Sequence, residues 1–239
     1  MNLLGIDAAC SACSAALLQD DAITAHRYRA MQRGHVEALM PMVATVLQDS
    51  GAGYSDLHMV AVTVGPGSFT GLRTGLAAAR GIARALGIPL VGVTTLETVA
   101  FAAARDTGDA PDGATLVVAL ETRRADLYLQ CFALDLAPKC DPISILPQDA
   151  AAILPDGPLV AAGDGAARLH EALANRETVV KIAPGPGLPD ARDVVRIAAN
   201  RFGAEAMASI SIRHHSPPAP VYLHPPHVTV PKDRGKLTP

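Results

Sequence analysis

Met59-Val60-Ala61-Val62-Thr63-Val64-Gly65-Pro66-Gly67-Ser68-Phe69-Thr70-Gly71-Leu72-Arg73 is the stretch whose reading decides the fold. Its first six residues are an unbroken apolar and β-branched run, short enough to be a strand buried on both faces. Gly65-Pro66-Gly67-Ser68 stops that strand with turn chemistry. An Ala- and Gly-rich segment then runs from Thr70 to Leu86 at helical spacing and closes at Gly87 as a C-cap. A buried strand, a glycine turn and a long helix together are the opening of an α/β unit.

Upstream, Leu3 to Asp7, Cys13 to Leu18 and Ile23 to Tyr28 read as three short strands, with Gln19-Asp20-Asp21 as a hairpin turn. Val36, Leu39, Met42, Val43, Val46 and Leu47 recur at helical spacing and place a helix over 35–48, with Pro41 expected to kink it or delay its start. Ile88 to Val93 is a further strand, followed by a helix from Thr94-Thr95-Leu96-Glu97 to about Arg105. A polar stretch from Asp106 to Gly113 marks a lobe boundary. Beyond it strands are expected at 116–120, 127–132, 143–146, 159–162 and 178–182, and helices at 148–154, 166–174 and 191–202. The same order of elements thus recurs without a sequence repeat. The expected architecture is α/β with mixed sheets in two lobes, 1–106 and 107–210, followed by a proline-rich extended tail, 211–239, in which Val221-Tyr222-Leu223 docks.

Composition narrows the function. The formal net charge is −3, from 20 Lys and Arg against 23 Asp and Glu, which gives no basic footprint for nucleic acid. No run of 18 apolar residues suggests a membrane span, and Asp7 arrives too early for a secretory leader, so a cytoplasmic setting without membrane contact is expected. Cys10-Ser-Ala-Cys13 has C-x-x-C spacing, but no helix starts directly after Cys10, and Cys131 and Cys140 are wrongly spaced for a zinc ribbon. His35 is followed at i+4 by Leu39, which leaves it without a second ligand on its helix, so no metal site is expected.

Three features remain as candidates. Gly65, Gly67 and Ser68 before a helix N-terminus are fit to cradle an anion, or else form a tight turn that aims the helix. Asp7 at a strand end, and Gly163-Asp164-Gly165 between a strand and a helix, are placed to face each other as a vestigial nucleotide site, although neither loop carries a phosphate-binding lysine. Gly71, Thr74, Gly75, Ala78, Ala79 and Ile82 make a flat helical stripe. With Leu39, Met42, Val43 and Val46 of the preceding helix it is read as a subunit interface, the alternative being packing within the chain.

Leu4-Gly5-Ile6-Asp7 with Cys13-Ser14-Ala15-Ala16-Leu17, His35 with Leu39 and Pro41, the Gly65–Arg73 run, Gly92-Val93-Thr94-Thr95-Leu96 and Pro220-Val221-Tyr222-Leu223 together resemble the TsaB (YeaZ) family. The resemblance implies an actin-like fold of the kind shared by sugar kinases and Hsp70 chaperones. It implies a non-catalytic scaffold in tRNA threonylcarbamoyladenosine synthesis that pairs with a metal-binding TsaD-type catalytic subunit and a TsaE-type ATPase. Alone, such a subunit self-associates through its N-lobe helices; it meets tRNA only within the complex and has no cofactor of its own, with a nucleotide at most at a subunit interface. The catalytic paralogue's H-x-x-x-H is halved here to His35 and Leu39. The family's D-A-R-x-x-E-V-Y reads Glu121-Thr122-Arg123-Arg124-Ala125-Asp126-Leu127-Tyr128. The competing readings are a small-molecule kinase, testable by ATP turnover, and a metallopeptidase, testable by chelation.

Overall fold

The computed structural model describes residues 1–105, 110–202 and 218–224. The first lobe opens with β1 (Asn2–Asp7), β2 (Ala12–Gln19) and β3 (Ala22–Ala30), an antiparallel meander. The β2–β3 turn places both Asp20 and Asp21 at positive φ, as a two-residue hairpin in right-twisted strands demands. Next come α1 (His35–Ser50), β4 (Met59–Thr63), α2 (Phe69–Leu86), β5 (Leu90–Val93) and α3 (Thr95–Ala104). The second lobe contains β6 (Thr115–Glu121), β7 (Leu127–Phe132), β8 (Ile143–Ile145), a 3₁₀ turn at Pro147–Ala152, β9 (Leu159–Ala162), α4 (Ala166–Ala172), β10 (Val180–Ile182) and α5 (Ala191–Phe202).

The expected recurrence is present in space. The first sheet runs β3-β2-β1-β4-β5 and the second β10-β9-β6-β7-β8. In each, the first strand pairs antiparallel with the second and parallel with the fourth. The sequence reason is visible in β4, buried at all five positions, against edge strand β3, mostly exposed or half-buried. Pro41 does not delay α1, which starts at His35 and passes through it. Pro41 and Glu37 are both on the solvent side, so the Glu37 carbonyl that lacks a helical donor faces water.

Chain order and packing part company at two helices. α1 and α2 cover one face of the first sheet, and its other face is covered by α5, through Val194, Val195, Ile197 and Ala198 against Leu3, Met59, Ala61 and Val93. The second sheet receives α4 on one face and α3 on the other, with Leu96, Val99, Ala100 and Ala103 against Leu116, Val118, Leu120 and Val160. Each lobe therefore closes its core with a helix that follows or precedes it in the chain. Arg105 Nη1 meets the buried Asp193 carboxylate at 2.7 Å, and Arg201 meets Glu97, so the crossing helices α3 and α5 are tied by charge. Arg105→Ala leaves Asp193, 4 % exposed, with Arg196 at 3.5 Å as its remaining cation. A loss of about 1–2 kcal/mol is expected for a charge-assisted bond at a partly exposed arginine, read as a shift in urea midpoint; an unchanged midpoint would count against the tie. Residues 106–109 of the expected lobe boundary, and the tail apart from 218–224, lie outside the described residues.

Candidate functional site

The stripe of small residues on α2 faces inward. A Cβ on Gly75 would lie 3.6 Å from Val62 Cγ2 and 3.8 Å from Ala8 Cβ, and one on Gly71 would lie 2.0 Å from the Ala8 carbonyl oxygen. Leu39, Val43, Val46, Ala79 and Ile82 belong to the same buried cluster. The interface reading is therefore corrected for Leu39, Val43, Val46, Gly71, Gly75, Ala79 and Ile82. These residues are small or apolar because α1 and α2 lie on their own sheet, and no partner reaches them without opening the core. Met42, Thr74 and Ala78 are half-buried at its rim. The outward faces of the same helices present Val36, 57 % exposed, and Met40, 41 % exposed, together with Ala44, Ala77 and Gly81.

The glycine turn after β4 is shaped by its own chain as well. The Ser68 amide donates to the Ala9 carbonyl at 2.7 Å, and the Ser68 hydroxyl caps α2 by accepting from the Gly71 amide. A side chain at Gly67 would lie 2.3 Å from the Ala9 oxygen, and one at Gly65 2.6 Å from the Val221 oxygen. The Gly65–Pro66 peptide is cis. In the other lobe a Gly163 Cβ would lie 2.0 Å from the Ala119 oxygen, while the Gly165 amide donates to that same carbonyl at 3.0 Å. Of the two readings of Gly65, Gly67, Gly163 and Gly165, close backbone packing accounts for each. The Ser68 and Gly165 amides are thus both taken by carbonyls of the chain itself.

Asp7 is fully buried. Its Oδ1 accepts from the Thr63 hydroxyl at 2.7 Å and the Ala9 amide at 3.1 Å, and its Oδ2 has no partner among the described residues. Burial pushes the carboxyl up to about 7 against these two bonds. Asp164 is likewise pushed up by burial to about 6, although its Oδ1 accepts from the Glu121 amide at 2.8 Å. Both carboxylates act on the Cys10 thiol, whose burial beside them raises it well above its ordinary value. Asp7 and Asp164 thus both lie near Cys10, each as a carboxyl raised by burial.

The open space lies beside Cys10. A cleft of about 510 Å³ separates Gly67, Ser68, Phe69 and Arg73 of the first lobe from Glu121, Arg124 and Tyr128 of the second. Its third wall is residues 221–224. The Val221 amide donates to the Val64 carbonyl at 2.7 Å, and Arg80 reaches the Pro218 carbonyl at 2.6 Å. Arg73 lies 3.8 Å over the Phe69 ring and donates to the Tyr222 hydroxyl. On the far side His224 Nε2 is 2.6 Å from the Asp126 carboxylate and 3.1 Å from the Ser144 hydroxyl. The expected docking of Val221-Tyr222-Leu223 is therefore a strap between lobes. Sequence reasoning missed Thr63, Arg73, Arg80 and the His224–Asp126 pair; the only signal was the match of Pro220–Leu223 to a known pattern.

His35 lies where α1 meets the β1–β2 turn. Its Nε2 is 3.0 Å from the Cys10 carbonyl oxygen, which only accepts, so that nitrogen carries the ring proton. A protonated Nε2 is not a metal ligand, and Leu39 beneath it is buried.

A sequence profile of the family described as "TsaD: tRNA N6-adenosine threonylcarbamoyltransferase" matches residues 28–133. The tRNA threonylcarbamoyladenosine biosynthesis protein TsaB of Escherichia coli (strain K12) is 40% identical over 129 residues, covering 54% of this chain and 53% of that protein. Its namesake in Bacillus subtilis (strain 168) is 36% identical over 100 residues, 42% of this chain and 44% of that protein. The matched stretch thus spans about half the length of the first of these relatives, 53%, or less. The crystal structure of YeaZ from Pseudomonas aeruginosa superposes with a TM-score of 0.74 at 26% identity, over 93% of this chain and 99% of that one. A polyphosphate/ATP-glucomannokinase from Arthrobacter sp. strain KM, at 13% identity and a TM-score of 0.50, shares the fold alone. The matched stretch, the repeated sheet order and this superposition agree: the chain has an actin-like α/β fold and is similar to proteins of the TsaB (YeaZ) family.

Proposed function

We propose that the chain is a scaffold subunit in tRNA N6-threonylcarbamoyladenosine biosynthesis, with no catalytic step of its own. It pairs with a TsaD-type catalytic subunit, is joined by a TsaE-type ATPase, reaches tRNA only through that assembly, and works in the cytoplasm without a resident cofactor. The observation that carries the reading is the kinship to proteins named for this biosynthesis, at 40% identity in the first case. The non-catalytic part is supported by His35, whose ring proton is committed to the Cys10 carbonyl while a buried leucine stands at the next turn. No described helix is long and apolar enough to cross a membrane. The test is reconstitution with the partner subunits and substrate tRNA. Leaving out this chain is expected to drop modification to background, and modification at an unchanged rate would overturn the reading.

The partner surface we assign to this role is the outward face of α1 and α2, with Val36, Met40, Ala44, Ala77 and Gly81 at its centre and Met42, Thr74 and Ala78 at its inner rim. Gly81 has open space where a Cβ would be, so packing inside the monomer does not explain a glycine in mid-helix. Such a residue costs about 1 kcal/mol relative to Ala, and a close-packed partner helix offsets it. Met40→Glu would bury a carboxylate without a partner in the contact, and 10- to 100-fold weaker association is expected, equal to about 1.4–2.7 kcal/mol. Because Met40 is exposed in the monomer, its circular dichroism spectrum stays unchanged. Association of full strength in sedimentation velocity would move the interface elsewhere.

A further inference from the structure

We propose that Cys131 and Cys140 are a modification site: hydroperoxides convert this pair of thiols to a reversible intrachain disulfide.

Sequence spacing draws attention to the other pair, Cys10 and Cys13, and the fold separates them. Cys13 lies in the core under α1 and α2, and Cys10 packs against the core of the second sheet under α3. Cys131 and Cys140, nine residues apart with no motif around them, are brought together. The chain leaving β7 turns back on itself: the Ala133 amide donates to the Ala137 carbonyl at 2.8 Å, and the Lys139 amide to the Cys131 carbonyl at 2.8 Å. The Cys131 amide donates to the Cys140 sulfur at 3.2 Å, and the Cys140 side chain is near enough to raise the Cys131 thiol. The Gln130 side chain holds the Cys140 carbonyl at 3.0 Å. These hydrogen bonds hold the Cys140 segment against Cys131, with the Cys140 sulfur on the Cys131 amide.

The two sulfurs divide the chemistry between them. Cys140 is exposed, and Cys131 is 4 % exposed, its thiol pushed up to about 12 by burial first and by Cys140 second. Peroxide therefore meets Cys140. The Cys140 sulfur attacks one peroxide oxygen, the O–O bond breaks, and the leaving hydroxide takes up the thiol proton as water. The sulfur is left as a sulfenic acid. The Cys131 sulfur then attacks the Cys140 sulfur; the S–S bond forms, the S–O bond breaks, and hydroxide leaves with the Cys131 proton as a second water. Two thiols lose two electrons, and hydrogen peroxide gains them in becoming two waters. The bridge would staple β7 to the segment entering β8, which carries the Ser144 hydroxyl bonded to Asp126 under the strap.

The experiment treats the native chain with hydrogen peroxide, alkylates it in denaturant, and maps peptides by mass spectrometry. The expected result is a joined Cys131–Cys140 peptide lighter by two hydrogens, with Cys10 and Cys13 still alkylated and dithiothreitol restoring all four labels. In Cys140→Ser, an exposed change, Cys131 should stay fully alkylated after the same treatment. Sulfinic acid at Cys140 with Cys131 still alkylated, a Cys10–Cys13 bridge in its place, or loss of Cys131 labelling in Cys140→Ser would each overturn the proposal.

Discussion

Gly71→Ala is expected to destabilise the protein by roughly 3 kcal/mol or more, while Gly75→Ala, one turn along the same helix, leaves it as stable or improves it by up to about 1 kcal/mol. The two glycines are alike in sequence and differ in what they touch. The added methyl at Gly71 falls 2.0 Å from the Ala8 oxygen and 3.2 Å from its carbon, both backbone atoms of the tight β1–β2 turn. That turn also carries the Ala9 carbonyl that binds the Ser68 amide and the Ala9 amide that binds Asp7, so it cannot retreat without loosening both. At Gly75 the nearest atoms are side-chain carbons at 3.6 to 4.0 Å, ordinary contact distance. Alanine there fills space already shaped for it and recovers helix propensity. Gly75→Leu, by contrast, overpacks the core. Urea midpoints of the two alanine variants decide the matter, and equal shifts would mean that α2 does not sit on this turn as described.

Asp7→Asn is expected to reverse its effect with pH. The Asp7 carboxyl is raised from 3.8 to about 7, burial being the main cause and the Asp190 charge adding to it. A raised carboxyl means that the folded chain keeps a proton which the unfolded chain releases. Stability therefore falls as pH climbs from about 3.8 to about 7 and is flat on either side of that window. At about 1.4 kcal/mol per unit, the whole fall amounts to about 4 kcal/mol. Asparagine keeps an oxygen for Thr63 and Ala9 and does not titrate. It also puts an amide N–H where Oδ2 has no partner, at a cost of about 1–3 kcal/mol. Asp7→Asn should thus be the weaker protein at pH 3.5 and the stronger at pH 8, with guanidinium midpoints crossing between. Parallel curves would show that Asp7 is ionised throughout.

Most of the fold was legible because its signals are local. The apolar run of β4, the turn residues Asp20 and Asp21 and the helical spacing of α1 each act over a few residues, and each element stands within a few residues of its expected place. The recurrence of element order supplied the two mixed sheets. Helical spacing alone does not resolve what covers the stripe on α2. A stripe at i, i+4 and i+8 says that something packs closely on that side and does not say what. Here the Ala8–Ala9 turn and β4 do so, and the exposed small residues Ala77 and Gly81 lie on the opposite side. The glycine loops carried the same ambiguity, since a glycine that admits a phosphate and one that admits a carbonyl look identical in sequence. The strap was the least legible part. Its contacts span well over a hundred residues, as in Arg73 with Tyr222, and only a match to a family pattern hinted at them.

The exchange of α3 and α5 bears on how this chain is divided for study or built by the ribosome. A fragment ending near Arg105 would carry α1, α2 and the whole first sheet, yet leave Leu3, Met59, Ala61 and Val93 bare on the face that α5 covers. It would also display the apolar side of α3, whose place is on strands not yet made. Such a fragment has two sticky surfaces and is expected to aggregate or recruit a chaperone. During synthesis the first lobe is likewise incomplete until Ala191–Phe202 has left the exit tunnel, although its last strand ended at Val93. The two lobes, each with a five-stranded sheet of its own, therefore mature together, and expression of either half alone calls for grafting the missing helix.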